Sequence, residues 1–294
     1  MLLALLPAFL LELALYLLPG FESMRRLFDR LAAKALRGSL ILAGAIAPYL
    51  LESWRTHTFA FTPFLVLLVL AAVASFFYAV FRRGPLVDSL FLAFMAAVYL
   101  SKAFSMIYVR PAPHLQVEVL GRMMWVRVGV LAVLSLRRID NVRFGFLPTS
   151  QEWRIGIEQF LYFLPLGAIL AYFLHFAHFH PVAVVWWKFA LFLPLLFCGI
   201  LWGLALGEEF FFRGFLQQLL SKGLHSDTAG LLAASAIFGS AHLPFRAFPN
   251  WRFAVLAGIA GVFYGLAFLK ARSIRASMVT HALIVTVWRS LFSV

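Results

Sequence analysis

Residues 207–215 read GEEFFFRGF, inside a run over 186–221 that is otherwise mostly apolar. On a helix Glu209 and Arg213 stand at i and i+4, the spacing at which a carboxylate and a guanidinium meet on one face. Glu208 is turned about 100° away from Glu209, which leaves it off that pair and free to face a cavity. The surroundings decide what such a cluster means. The chain has 294 residues, of which 63% are hydrophobic and only 13% charged, and its mean hydropathy is +0.92. That excludes a soluble globular protein and places the chain in the polytopic membrane class. A membrane helix needs about 20 mostly apolar residues, and such runs centre near residues 10, 45, 70, 97, 167, 195, 237, 261 and 284. The expected fold class is therefore all-α, a polytopic membrane helix bundle of about seven to nine spans.

The net charge of +13 does not point to nucleic acid. The cations sit in short groups between apolar runs, as at Arg25, Arg26, Arg30, Lys34 and Arg37, or Arg137, Arg138 and Arg143, the distribution of cytoplasmic loops under the positive-inside bias. No continuous basic face is left. The single cysteine, Cys198, excludes an intrachain disulfide framework. The first twenty residues lack a basic n-region and a small-residue cleavage site, so they read as a retained first span, with Glu12 an interior or interfacial carboxylate. Residues 20–37 space Phe21, Met24, Leu27, Leu31 and Ala35 along one side, as an interfacial amphipathic helix would. Over 111–136, Glu118, Arg122 and Arg127 interrupt the apolar pattern, leaving a polar-lined span or a re-entrant or surface segment as alternatives.

Polar composition peaks at 137–154, RRIDNVRFGFLPTSQEWR, where Gly145, Pro148 and Ser150 supply loop chemistry. The reading divides the chain into an accessory N-terminal membrane region, 1–136, a polar linker loop, 137–154, and a working domain, 155–292. Ionisable residues at membrane depth are costly and face a bundle interior or a wet cavity, so each is a functional candidate. Besides Glu208, Glu209 and Arg213, the working domain holds His242 in FGSAHLP and His281 in VTHALIV. Counted from the polar turn at 222–228, Glu208 and His242 each fall roughly 20 Å deep at 1.5 Å per residue. His281 falls roughly 13 Å past Arg272 by the same count, so all three can converge in the middle of the layer. Phe238 precedes His242 by one turn, to pack on it or line the cavity. His175, His178 and His180 end a span before Pro181 and read as interfacial. Gly258, Gly261 and Gly265 read as small residues for close helix packing.

Three motifs occur in order: EExxxR at Glu208, Glu209 and Arg213; FxxxH at Phe238 and His242; and a last histidine motif beginning at His281. In them the sequence resembles the type II CAAX prenyl endopeptidases, or CPBP intramembrane proteases, which include bacteriocin-processing and self-immunity relatives. The resemblance implies an intramembrane endopeptidase with its active site inside the bundle. It would hydrolyse a peptide bond of a membrane-associated protein or peptide. Glu208 and His242 would activate the water, His281 would help hold the oxyanion, and Glu209 with Arg213 would fix the active-site helix, supported by Phe238. It also implies membrane lipid and a membrane-associated substrate as partners, no nucleic acid, and residence as a multi-pass protein of the bacterial inner (cytoplasmic) membrane. No cofactor is favoured and no metal ligand is assigned. Zn²⁺ is the competing possibility, because two histidines and two carboxylates could ligate it, although no HExxH is present and Glu209 is paired with Arg213. The alternatives are a Zn-dependent intramembrane metalloprotease, a catalytically silent immunity-type relative and a proton-coupled transporter. One departure stands out: the family commonly has Asn or Asp four residues after the last histidine, where this chain has Val285.

Overall fold

Apolar runs of this length satisfy their backbone only as helices when water is absent, and the computed structural model of the chain is 80% helical. It describes residues 2–31, 33–112, 115–139, 142–176, 178–182 and 185–293. The chain divides into two compact units, Met1–Ile139 and Asp140–Val294. Among the described residues seven helical stretches are long and apolar enough to cross a membrane. The protein is thus an all-α integral membrane protein.

The first unit is built from α1 (Leu2–Leu17), α2 (Glu22–Asp29), α3 (Lys34–Thr56), α4 (Phe61–Val80), α5 (Pro85–Leu100), α6 (Ala103–Ile107) and α7 (Glu118–Leu131). The stretch 20–37 is not one amphipathic helix: α2 stops at Asp29 and α3 starts at Lys34. No residue of α2 is buried. The segment 111–136, ambiguous in sequence, resolves into α7, continued by a wide π-helical turn over Ala132–Arg137. Two of its polar residues, Glu118 and Arg127, are buried and paired, whereas Arg122 is exposed. Arg127 donates to both oxygens of Glu12, at 3.0 and 2.9 Å, and to the Gly44 carbonyl at 2.9 Å. Glu118 accepts from Arg110. At the other end Asp88 binds Arg137 at 2.8 Å and the Tyr78 hydroxyl at 3.1 Å.

The second unit begins its helices at α8 (Ser150–Phe173), so the end of the expected 137–154 linker is already helical. Thr149 and Glu152 form a capping box there, which fixes the start of the helix. Next comes a long irregular helix from Trp186 to Gly223. It consists of α9 (Trp186–Cys198), α10 (Leu206–Glu209) and α11 (Gln218–Gly223), joined by π-helical stretches over Gly199–Ala205 and Phe210–Gln217. Then follow α12 (Asp227–Ser240), α13 (Trp251–Ala271) and α14 (Ile274–Leu291). A two-residue strand β1 (His178–Phe179) pairs antiparallel with β2 (Phe292–Ser293). His175, His178 and His180 are exposed.

Three of the nine apolar runs do not become full spans. Pro85–Leu100 has 16 residues. α12 has 14, roughly 21 Å at 1.5 Å per residue, against a layer of about 30 Å; of the irregular chain after it, His242 lines a cavity. α14 reaches 18 residues but is not among the seven. Ser277, Thr280, His281, Thr286 and Ser290 lower its hydropathy, and all five are buried inside the unit.

Glycines let α12 and α13 approach closely. A Cβ on Gly239 would lie 2.5 Å from the Ala254 carbonyl and 2.9 Å from the Gly258 Cα, whereas one on Gly258 meets nothing closer than 3.5 Å. Gly239→Ala is therefore expected to cost about 1–3 kcal/mol through overpacking against backbone. Gly258→Ala should be neutral or gain up to about 1 kcal/mol in helix propensity. Thermal unfolding in detergent measures both, and equal effects would show that the two helices are not packed this way.

Candidate active site

Glu208, Glu209, Arg213 and His281 meet where the π-helical stretch after Glu209 begins. Glu209 and Arg213 are both 0% exposed, and the expected i, i+4 contact forms at 3.2 Å. Arg213 also donates to the Gly261 carbonyl at 3.1 Å. Its guanidinium lies 4.5 Å from the Phe238 ring centre and 5.1 Å from that of Tyr264. The attraction of a cation for aromatic faces and two hydrogen bonds hold this side chain in one position. Gly261 is more than a packing glycine, because a Cβ there would stand 3.0 Å from the same guanidinium nitrogen.

Glu209 does not serve Arg213 alone. Its Oε1 also accepts from His281 Nδ1 at 2.7 Å, so one buried carboxylate links the arginine of one helix to the histidine of another. A carboxylate accepts, so the His281 proton sits on Nδ1, and Nε2 is the nitrogen left to act. Nε2 lies 4.0 Å from Glu208 Oε2. Tyr264 stacks on the imidazole with ring centres 4.5 Å apart and planes within 6°. Two neighbours, one polar and one flat, thus fix the ring.

Glu208 differs from Glu209 in its surroundings. Its side chain is 29% exposed, and no arginine bonds it among the described residues. His242 stands in the turn that ends α12, half-buried, with Nδ1 at 2.8 Å from the Phe238 carbonyl. A carbonyl can only accept, so Nδ1 carries a proton, and in the neutral ring Nε2 is the nitrogen with the lone pair. Phe238 packs on His242 at 4.6 Å and edge-on to His281 at 6.1 Å. His242 and His281 both line a cavity of about 140 Å³, walled mainly by apolar side chains that include Phe163, Phe253, Leu256 and Trp288. Val285 is part of that wall, so the position one turn after His281 does face the cavity and offers it no polar group.

Sequence reasoning picked out Glu208, Glu209, Arg213, Phe238, His242 and His281. It did not anticipate the Glu209–His281 link, the Tyr264 stack or the Gly261 carbonyl. The GxxxG at Gly261 carried a signal of close approach, but nothing in it distinguished a partner helix from a guanidinium. A metal fits less well. Among the described residues no group of three or more His, Cys, Asp and Glu side chains is placed to hold one ion. Glu209 is committed to Arg213 and His281, and His242 Nδ1 to a carbonyl.

Buried acid, arginine and two histidines against an apolar cavity, in a chain of membrane-spanning helices, define an integral membrane protein with a polar site enclosed by its helices. Residues 185–287 match the family model described as Type II CAAX prenyl endopeptidase Rce1-like. Over those residues, about a third of the chain, the sequence is similar to this family of CAAX prenyl endopeptidases. The match holds all six candidate residues and begins after α8. No curated protein and no solved structure matches the chain.

Proposed function

We propose that this protein is an intramembrane endopeptidase that cleaves a membrane-associated peptide or protein with a water activated by Glu208 and His242, without a metal ion. The observation that carries the reading is His281, anchored through Nδ1 on Glu209 at 2.7 Å with Nε2 towards Glu208 at 4.0 Å, in the wall of the cavity that also holds His242. Hydrolysis needs a base for the water and a donor for the oxyanion of the tetrahedral intermediate. Glu208 carries no arginine to quench it, and His242 presents an unprotonated Nε2, so both suit the first task. His281, once protonated at Nε2 as well, would donate to the oxyanion, with Glu209 balancing its charge. The proton taken from water would then pass to the leaving amine. The apolar wall suits an apolar segment of substrate, with lipid around the unit, and the bacterial inner membrane is the proposed setting.

The test is cleavage of a panel of membrane-bound peptides by the whole protein in liposomes. Wild type is expected to cut, His242→Ala to lose at least about 100-fold in rate, and a strong zinc chelator to change nothing. Loss of activity with chelator, restored by Zn²⁺, would replace this mechanism with the metalloprotease. Val285 in the cavity wall favours one second reading, a catalytically silent relative. Absence of cleavage across the panel by folded wild type would select it.

A further inference from the structure

Six carboxylates are buried among the described residues: Glu12, Glu52, Asp88, Glu118, Glu152 and Glu209. Five are paired with an arginine, respectively Arg127, Arg137, Arg110 and Arg275 for Glu12, Asp88, Glu118 and Glu152, and Arg213 for Glu209. Glu52, on α3, is the exception. It is 1% exposed, no Lys, Arg or His bonds it, and its Oε2 has no hydrogen-bond partner. An ionised carboxylate placed so, buried and without a counter-charge, carries a large penalty.

The local geometry says how the penalty is avoided. α3 ends with His57 in the left-handed region at φ 59°, and the Thr58 amide donates back to the Ser53 carbonyl at 3.0 Å. This C-terminal turn brings Thr58 beside Thr56 and both beside Glu52. The Thr56 hydroxyl oxygen then has three oxygen neighbours: the Glu52 carbonyl at 2.8 Å, Thr58 Oγ1 at 2.8 Å and Glu52 Oε1 at 3.2 Å. A hydroxyl has one proton and two lone pairs. The Thr56 proton must go to the carbonyl, which can only accept. The contact with Thr58 then takes the Thr58 proton. The third and longest contact, with Glu52 Oε1, is left either to share the Thr56 proton with the carbonyl or to take a proton from the Glu52 carboxyl. Each contact has a proton of its own when Glu52 is the neutral acid, whereas an ionised Glu52 would have to share the Thr56 proton with the carbonyl while its Oε2 stayed buried without a partner.

We infer that Glu52, with Thr56 and Thr58, is a proton-binding site in the N-terminal unit, occupied in the folded protein and separate from the protease chemistry. The charged groups on the elements packed against α3 are engaged elsewhere. Arg127 of α7 holds Glu12 of α1, Glu118 of α7 holds Arg110, and Arg137 after α7 holds Asp88. Arg122 of α7 is exposed, and α4 carries no charged residue. On α3 itself Arg37 bonds Asp29 and the Ser135 carbonyl, Lys34 the Tyr78 carbonyl, and Arg55 is exposed, as is His57 just past the helix. The titratable side chains near enough to feel a charge on Glu52 are Tyr49 and Tyr108, which supply no positive charge.

Infrared difference spectra of the whole protein in liposomes, wild type minus Glu52→Gln, test this directly. Near neutral pH the wild type is expected to show one extra un-ionised carboxyl C=O stretch, shifting in D₂O and giving way to carboxylate bands as pH rises. Carboxylate bands alone at neutral pH would overturn the inference. The variant serves as more than a blank, because its amide N–H can donate to Thr56 Oγ1 and so copies the protonated state. Its melting temperature should match that of wild type at mildly acidic pH and stay flat on raising pH, while that of wild type falls. A Glu52→Gln protein that fails to fold, or that shares the wild-type pH dependence, would equally count against it.

Discussion

Arg213→Ala is expected to lower the stability of the C-terminal unit by about 3–5 kcal/mol, the cost of stranding one member of a buried ion pair. Glu209 is 0% exposed, and Arg213 is the arginine that bonds it. The loss does not stop at charge. The Gly261 carbonyl would lose its donor, and the Phe238 and Tyr264 rings the cation that lies between 4.5 and 5.1 Å from their centres. Cleavage should fall too, because Glu209 orients His281. Arg213→Lys keeps the charge but not the planar fork, and an ammonium cannot reach both Glu209 and Gly261 while lying flat between two rings; it should fall between wild type and alanine. Arg213→Met combined with Glu209→Gln removes both charges and should recover stability relative to Arg213→Ala, yet not activity. Melting in detergent and initial rates in liposomes separate the two effects. An unchanged melting transition for Arg213→Ala would mean that the pair does not support the unit.

How much of this could be read beforehand depends on the kind of signal each residue leaves. Membrane helices announce themselves by composition, so the all-α class and the runs within six of the seven long stretches were legible, the seventh being Glu118–Arg137. The runs near 237 and 284 were legible as helices but not in their length or setting: α12 stops at Ser240, and α14 buries its polar side in the unit instead of offering an apolar surface to lipid. Residues 111–136 could not be settled because Arg127 and Glu118 look unaffordable in lipid until Glu12 and Arg110 are found opposite them, and those partners lie far along the chain or in a loop. The π-helical stretches have no sequence mark at all. They are nonetheless what surrounds Glu208 and Glu209, and such turns often occur at functional places. Within the site, spacing on one helix gave the Glu209–Arg213 contact, a local geometry. The Glu209–His281 link joins residues 72 apart, and no local rule reaches it. The same holds for the buried acid that no arginine bonds: Glu52 stands out only after every other buried acid has been matched.

Glu208→Gln is expected to reduce cleavage by about 10²–10⁴-fold, the usual worth of a general base, with little change in stability. Glutamine has nearly the same shape but cannot take a proton from water. Because the side chain is 29% exposed and bonds no arginine, its replacement strands no charge. The neighbouring carboxylate shows the contrast: Glu209→Gln would weaken both Arg213 and His281, so it should lower the melting temperature as well as the rate. The pair of variants thus distinguishes a carboxylate that acts on substrate from one that holds the site, although they are adjacent in sequence. If Glu208 is the base, substrate still binds, so the loss should fall on kcat and leave KM nearly unchanged. Glu208→Asp, which keeps the carboxylate but draws it back by one methylene, should retain part of the rate. Near-normal cleavage by Glu208→Gln would remove Glu208 from the chemistry and leave the half-buried His242, with its free Nε2, as the group to test as the sole base.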